Sequence, residues 1–252
     1  MFDTFSFYFI LLMIYSFIGW VMEVVGKLIE KHKFINRGFL IGPICPIYGW
    51  GCIMLILLLS KYKSSPILLF FMAIIICSIL EYATSYIMEK LFNARWWDYS
   101  RRKFNLNGRI CAETMIPFGI LGIIVIYIIN PFFTNLIIKI PSNILNILAI
   151  IILFIYITDN IISTFIMLGF RKTLKTLEKD GTEEITKKVK EVLLNRNYLY
   201  KRIIKAFPNL ISSKERIKKL KNNIDRHITE LSNDIKKEAN NKFKNLKKSI
   251  KK

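Results

Sequence analysis

An all-α bundle of membrane-spanning helices with a basic helical tail is the fold class this sequence predicts, on three observations. Hydrophobic residues make up 53% of 252 positions and the mean hydropathy is +0.36, well above that of an ordinary soluble enzyme. Several apolar runs approach the length of about 20 residues that crosses a bilayer as a helix. Charge is segregated: the net charge is +20, and residues 169–252 hold 25 of the 38 Lys and Arg but only 10 of the 18 Asp and Glu. Two parts of one chain therefore face different solvents, which divides it into a transmembrane bundle at 1–169 and a cytoplasmic tail at 170–252.

The first run, 5–25, follows Asp3 instead of the basic stretch of a cleavable signal, so it reads as a retained helix. Further runs at 43–60, 66–88, 113–133 and 142–168 bring the expected count to about five spans. The second is short and opens on Gly42, Pro43 and Pro46, the signature of a broken or re-entrant entry. Irregular backbone at membrane depth is tolerated only where protein or water satisfies its freed polar groups, so this segment should pack on other helices or line a cavity. Lys and Arg number four in 26–42 and six in 89–112 but one in 134–141. By the positive-inside rule the basic loops and the tail lie in the cytoplasm and the N-terminus outside.

Within the tail, Asp180-Gly181 suits a helix end, and Thr182 starts a helical pattern that runs to about Ala206. Phe207-Pro208-Asn209 interrupts it, and Ser212-Ser213-Lys214-Glu215 opens a longer amphipathic stretch carrying Ile217, Leu220, Ile224, Ile228, Leu231 and Ile235 on one face. Such a face predicts a coiled coil joining copies of the chain, or a helix lying on anionic lipid. Aromatic residues for base stacking are scarce there, which argues against nucleic acid.

Chemistry-bearing residues are few. Cys45, Cys52, Cys77 and Cys111 form no CxxC pair, and His32 and His227 form no HExxH, so the sequence predicts neither a metal nor another cofactor. A P-loop and a GxSxG elbow are both missing from the sequence, which removes P-loop ATP hydrolysis and acyl transfer on a nucleophile elbow from the chain's own repertoire. What stands out is four acids in the apolar part: Glu23, Glu81, Glu113 and Asp159. A carboxylate at bilayer depth costs about 2.5–3.5 kcal/mol on insertion scales, so each needs a partner, a proton or a wet cavity. With about 1.5 Å rise per residue, Glu23 and Glu113 lie at the cytoplasmic boundary, Glu81 about 10 Å inside it and Asp159 about 14 Å. Glu81 shares a helix face with Ser85 and Glu89, and Asp159 with Ser163. These stripes predict inward-facing sides around an acidic, cytoplasm-facing cavity, or else buried ion pairs with Arg37, Arg95 or Arg109. Trp96, Trp97 and Tyr99 in the longest basic loop read as interfacial anchors, with a docking surface or substrate gate as the alternative. Asn107-Gly108 is a turn signal.

The segments Tyr15-Ser16-Phe17-Ile18-Gly19-Trp20-Val21-Met22-Glu23, Asn36-Arg37-Gly38-Phe39-Leu40-Ile41-Gly42-Pro43-Ile44-Cys45-Pro46-Ile47-Tyr48-Gly49, Glu81-Tyr82-Ala83-Thr84-Ser85, Trp96-Trp97-Asp98-Tyr99-Ser100 and Asn107-Gly108-Arg109-Ile110-Cys111 occur in that order. Together they resemble the putative ABC-transporter type IV permease family of bacterial membrane proteins, over roughly residues 7–135. The resemblance implies a transport subunit working with a separate ATP-binding subunit, and it adds Arg37, Asp98 and Arg109 to Glu23 and Glu81 as candidates for one functional constellation. The chain has no EAA-x3-G loop of the kind importer permeases present to their ATPase. Beside transport stand two other readings, an enzyme acting on a lipid-linked substrate and an anchor that recruits partners through its tail.

Overall fold

A computed structural model of the chain describes residues 2–92, 94–179, 202, 211 and 212. The helices expected within 182–206 and 215–250, and with them the coiled-coil and lipid-surface readings, fall outside the described residues. The chain divides into two units, Met1–Leu210 and Ile211–Lys252. The first holds all of the described residues but 211 and 212.

Helices dominate it: α1 Phe2–Lys31, α2 Pro46–Leu59, α3 Pro66–Phe92, α4 Ala112–Ile124, α5 Asn130–Ile137 and α6 Ser142–Lys179. Among the described residues four helical stretches are long and apolar enough to cross a membrane: Phe2–Lys31, Pro66–Phe92, Ala112–Ile137 and Ser142–Gly169. Exposed Ile, Leu and Phe side chains crowd their outer faces, for example Ile147, Ile151, Phe154 and Ile155 on α6, as a lipid solvent requires. The chain is a multi-pass membrane protein. The run expected at 43–60 forms a shorter apolar helix, α2, whose 14 residues reach about 21 Å at 1.5 Å each. That alone falls short of the roughly 30 Å hydrocarbon core, and the turn Ser60–Tyr62 prolongs the apolar stretch, so the expected count of five spans requires α2 to cross together with the residues that flank it. Prolines explain its late start, because Pro43 and Pro46 lack N–H groups and Pro46 is tolerated only at the first helical turn.

Between α4 and α5 the helix widens into a π-turn, Val125–Ile129. Pro131 supplies the cause: without an N–H it cannot bond the carbonyl of Tyr127, and the wider turn relieves the clash of its ring with that carbonyl. Asn130 sits at this joint and accepts hydrogen bonds from Tyr15 Oη at 3.1 Å and Thr134 Oγ1 at 3.3 Å, which ties α5 to α1.

Two apolar clusters fill the bundle. The larger joins Leu11, Leu12 and Tyr15 of α1, Ile53, Leu55 and Leu59 of α2, Leu69 and Ala73 of α3, Ile126, and Leu145 and Ala149 of α6. A smaller one, Phe92, Trp96 and Met167, lies toward the opposite ends of α3 and α6 with Phe39 packed against it. The polar groups discussed next lie on the side of the smaller cluster.

Close approach of α1 and α2 depends on two glycines. A Cβ on Gly49 would stand 2.2 Å from Ser16 Oγ and 2.5 Å from the Leu12 carbonyl, and one on Gly19 would stand 2.3 Å from the Tyr48 ring. Small residues let membrane helices meet backbone to backbone. Gly49→Val is therefore expected to cost at least the roughly 1–3 kcal/mol of ordinary overpacking, because a backbone carbonyl cannot rotate away. Thermal denaturation in detergent should show a melting point well below that of Gly26→Val, since nothing lies within 4 Å of a Cβ at Gly26. Equal melting points for the two variants would refute the close approach.

Candidate functional site

The irregular segment 32–45 is held from two sides. On α1, Trp20 Nε1 donates to Asn36 Oδ1 at 2.7 Å, and Ser16 O accepts from Cys45 N at 2.9 Å. Arg37 Nη1 bonds Glu23 Oε2 at 3.1 Å, and Tyr48 Oη donates to Glu23 Oε1 at 2.7 Å, so both oxygens of Glu23 are occupied. On α6, Asp159 accepts from the backbone N–H of Ile41 at 2.9 Å and of Gly42 at 2.8 Å, and from Ser163 Oγ at 2.9 Å. A carboxylate fed by two backbone N–H groups and a hydroxyl has its charge compensated without a cation. The Leu145, Ala149, Ser163 and Met167 positions on α6 are buried at helical spacing, and Asp159 lies on the same stripe.

The loop after α3 is built around a second carboxylate, Glu89. Its Oε2 meets Arg95 Nη2 at 2.9 Å and Arg109 Nη2 at 2.8 Å. Arg95 Nη1 reaches on to the Asn107 carbonyl at 2.8 Å, while Arg109 bonds Ser85 Oγ at 3.3 Å and lies over the rings of Tyr82 and Tyr86. The Asn-Gly signal forms the expected turn, with Asn107 and Gly108 both at positive φ and Arg109 N bonding Leu106 O at 3.0 Å. Gly108 is required there twice over, since a Cβ would also stand 2.4 Å from Ser100 Oγ and 2.5 Å from Asp98 Oδ1. Short strands Asn105–Leu106 and Ile110–Cys111 pair antiparallel on either side.

Tyr99 carries this loop to Glu81. Its hydroxyl donates to Glu81 Oε1 at 3.3 Å, and Glu81 is 8% exposed with Oε2 lacking any hydrogen-bond partner among the described residues. Burial raises the Tyr99 phenol above its ordinary range, the Glu81 carboxylate raises it further, and Glu23 adds to the effect. An open cleft of about 280 Å³ lies beside the Glu23 pair, lined by Met22, Glu23, Gly26, Lys27, Glu30, Arg37 and Tyr48.

The structure pairs Glu23 with Arg37 and Tyr48, and Glu81 with Tyr99. Asp159 is turned to the 41–42 backbone, and among the described residues no hydrogen bond or ion pair links it to Glu81. Arg109 serves Glu89, and Asp98 accepts from Ser100 N and Oγ while its Oδ1 lies 3.5 Å from Arg95, so both order the loop. Glu113 pairs with Arg102 at 2.6 Å with both side chains more than half exposed, a boundary pair worth little. Trp96 is 5% exposed among Phe39, Phe92 and Met167, and Trp97 Nε1 donates to the Arg109 carbonyl at 3.0 Å. Both indoles, read from the sequence as interfacial anchors, make these contacts inside the chain. Among the described residues no cluster of His, Cys, Asp and Glu forms a metal site.

Sequence reasoning missed Tyr48 and Glu89 as members of the site. Glu89 carried a signal, its eight-residue spacing from Glu81 on one helix face. Nothing in the spacing marked Tyr48, because its partner Glu23 is 25 residues away on another helix.

No curated protein and no solved structure matches the chain. A family model described as "Putative ABC-transporter type IV" matches residues 9–164, more than half of the chain, and reaches past the first four spans into α6 to include Asp159. With the ordered motifs at Glu23, Arg37, Glu81 and Arg109 falling inside the matched range and on one side of the bundle, the chain belongs to the putative ABC-transporter type IV family.

Proposed function

We propose that the chain is a permease-like subunit of an ABC-type transporter in which Glu81, with Tyr99, Tyr48 and Glu23 around it, forms an acidic site reached from the cytoplasm. The observation that carries this reading is the state of Glu81. Glu23, Glu89, Asp98, Glu113 and Asp159 all have cationic, hydroxyl or backbone N–H partners, whereas among the described residues Glu81 keeps one buried oxygen without a hydrogen bond and meets no cation. A carboxylate in that position gains most from a ligand that brings positive charge: a metal cation, a proton, or an ammonium group on a larger molecule. Energy for transport would come from a separate ATP-binding subunit, since the sequence has no P-loop. The alternation of Lys and Arg supports a cytoplasmic tail and a cytoplasmic 89–112 loop.

Two measurements test the reading. A Cys placed at Ser100 in a chain freed of its four native cysteines should react with an impermeant maleimide only after the membrane is permeabilised. Tagged protein cross-linked in its native membrane and then purified should carry an ATP-binding subunit and hydrolyse ATP. Labelling of Ser100→Cys in intact cells would overturn the orientation. Native membranes that yield no ATP-binding partner would leave recruitment through the tail as the better account.

A further inference from the structure

The broken entry of α2 carries one more contact, and it comes from the far end of the sequence. The guanidinium of Arg202 forks over three successive carbonyls: Nη1 donates to Leu40 O at 2.6 Å and to Gly38 O at 3.5 Å, and Nη2 donates to Phe39 O at 3.1 Å. Gly38 and Leu40 are buried. Carbonyls in a buried irregular segment are strong acceptors that water reaches poorly, so they need a donor. The next two residues meet the opposite charge, because the N–H groups of Ile41 and Gly42 donate to Asp159. Residues 38–42 thus sit between a cation on their carbonyls and an anion on their amides.

We propose that the carbonyls of Gly38, Phe39 and Leu40 form a binding site for a guanidinium-type cation, and that the chain's own Arg202 fills it in the resting state. Three features fit a planar, multiply donating cation. The acceptors are spread along one strand of backbone, so an ammonium, with its donors on one nitrogen, cannot cover them as a fork does. The acceptors are preorganised from behind, since the Phe39 ring packs edge-on against Trp96 at 5.7 Å and tilted against Phe92 at 5.5 Å. Asp159 fixes the adjoining residues from α6 without touching the carbonyls. With Phe39 and Asp159 still holding its flanks, the site loosens but can re-form when its occupant is removed, and a small guanidinium compound can compete with the tail for it. This inference is independent of the transport reading, because it rests on the carbonyl geometry and not on Glu81.

Amide hydrogen exchange on full-length protein in lipid nanodiscs tests it. Arg202→Ala should speed exchange across 38–45 by about tenfold or more, a local opening, while the Tyr99 and Arg109 amides of the 95–111 loop stay as in the parent. Adding guanidinium or ethylguanidinium at millimolar concentration, far below denaturing levels, should restore protection in Arg202→Ala, and ammonium at the same concentration should not. Arg202→Lys should fall between parent and Ala. Unchanged exchange in Arg202→Ala would overturn the contact. Faster exchange that guanidinium fails to reverse, or that ammonium reverses equally, would overturn the site's selectivity. Exchange that rises equally in the 95–111 loop would show general unfolding and would also count against it.

Discussion

Replacing Glu89 with Ala is expected to destabilise the protein by about 3–5 kcal/mol, the usual loss when one partner of a buried ion pair is removed. Glu89 is the shared acceptor of Arg95 and Arg109, whose side chains are only 5% and 10% exposed. Truncation leaves two guanidinium groups near each other with their main counter-charge gone. Arg95 keeps the Asn107 carbonyl and the longer 3.5 Å contact with Asp98, and Arg109 keeps Ser85 and two tyrosine rings, but these do not replace the carboxylate the two arginines share. Because both arginines also order the turn at Asn107-Gly108, the loop that presents Tyr99 to Glu81 should loosen as well. Denaturation in detergent, with exchange of the Tyr99 amide as a local readout, checks the result. Adding Arg109→Met to Glu89→Ala should recover part of the lost stability, since it removes one orphaned charge. A melting point within a degree or two of the parent for Glu89→Ala would show that Glu89 does not carry the loop.

Glu81→Gln is expected to behave in the opposite way, abolishing function while leaving the fold intact. The substitution keeps size and hydrogen-bonding capacity and removes only the charge of a group that meets no cation among the described residues. Tyr99 can still donate to the amide oxygen. Neutralising an uncompensated buried charge is therefore expected to leave stability unchanged or raised by about 1 kcal/mol. Loss of the deletion strain's complementation, with normal expression and melting point, is the expected pattern, and Glu81→Asp should be partly active. Glu23→Gln should lose less than about 1 kcal/mol of stability, because its pair with Arg37 is roughly a quarter exposed on each side and partly screened. Full complementation by Glu81→Gln would remove the acidic site from the mechanism.

Helix class, the approximate position of the spans and the late start of α2 were legible from the chain alone. They depend on local causes: apolar runs of membrane length, prolines without N–H groups at 43 and 46, and an Asn-Gly pair that tolerates positive φ. The same holds for the stripes of α3 and α6. Glu81, Ser85 and Glu89 recur at four-residue spacing, as do Asp159 and Ser163, so a common face for each set follows from helix geometry before any packing is known.

Partnership was not legible, because it depends on which helices meet and how closely. Sequence marked Asp159 and Glu81 alike, as deep acids with polar neighbours. Tertiary structure separates them: the broken entry of α2 turns two backbone N–H groups onto Asp159, while among the described residues Glu81 receives one phenol and no cation. Contacts such as Tyr48 with Glu23, or Arg202 with the carbonyls of 38–40, join residues 25 and more than 160 positions apart. No periodicity encodes such distances. The charge, the spans and their polar faces were fixed by composition and by a helical repeat of 3.6 residues. Which acid is compensated and which is left open was decided only when glycines 19 and 49 let α1 and α2 close together and the 32–45 segment folded in between α1 and α6.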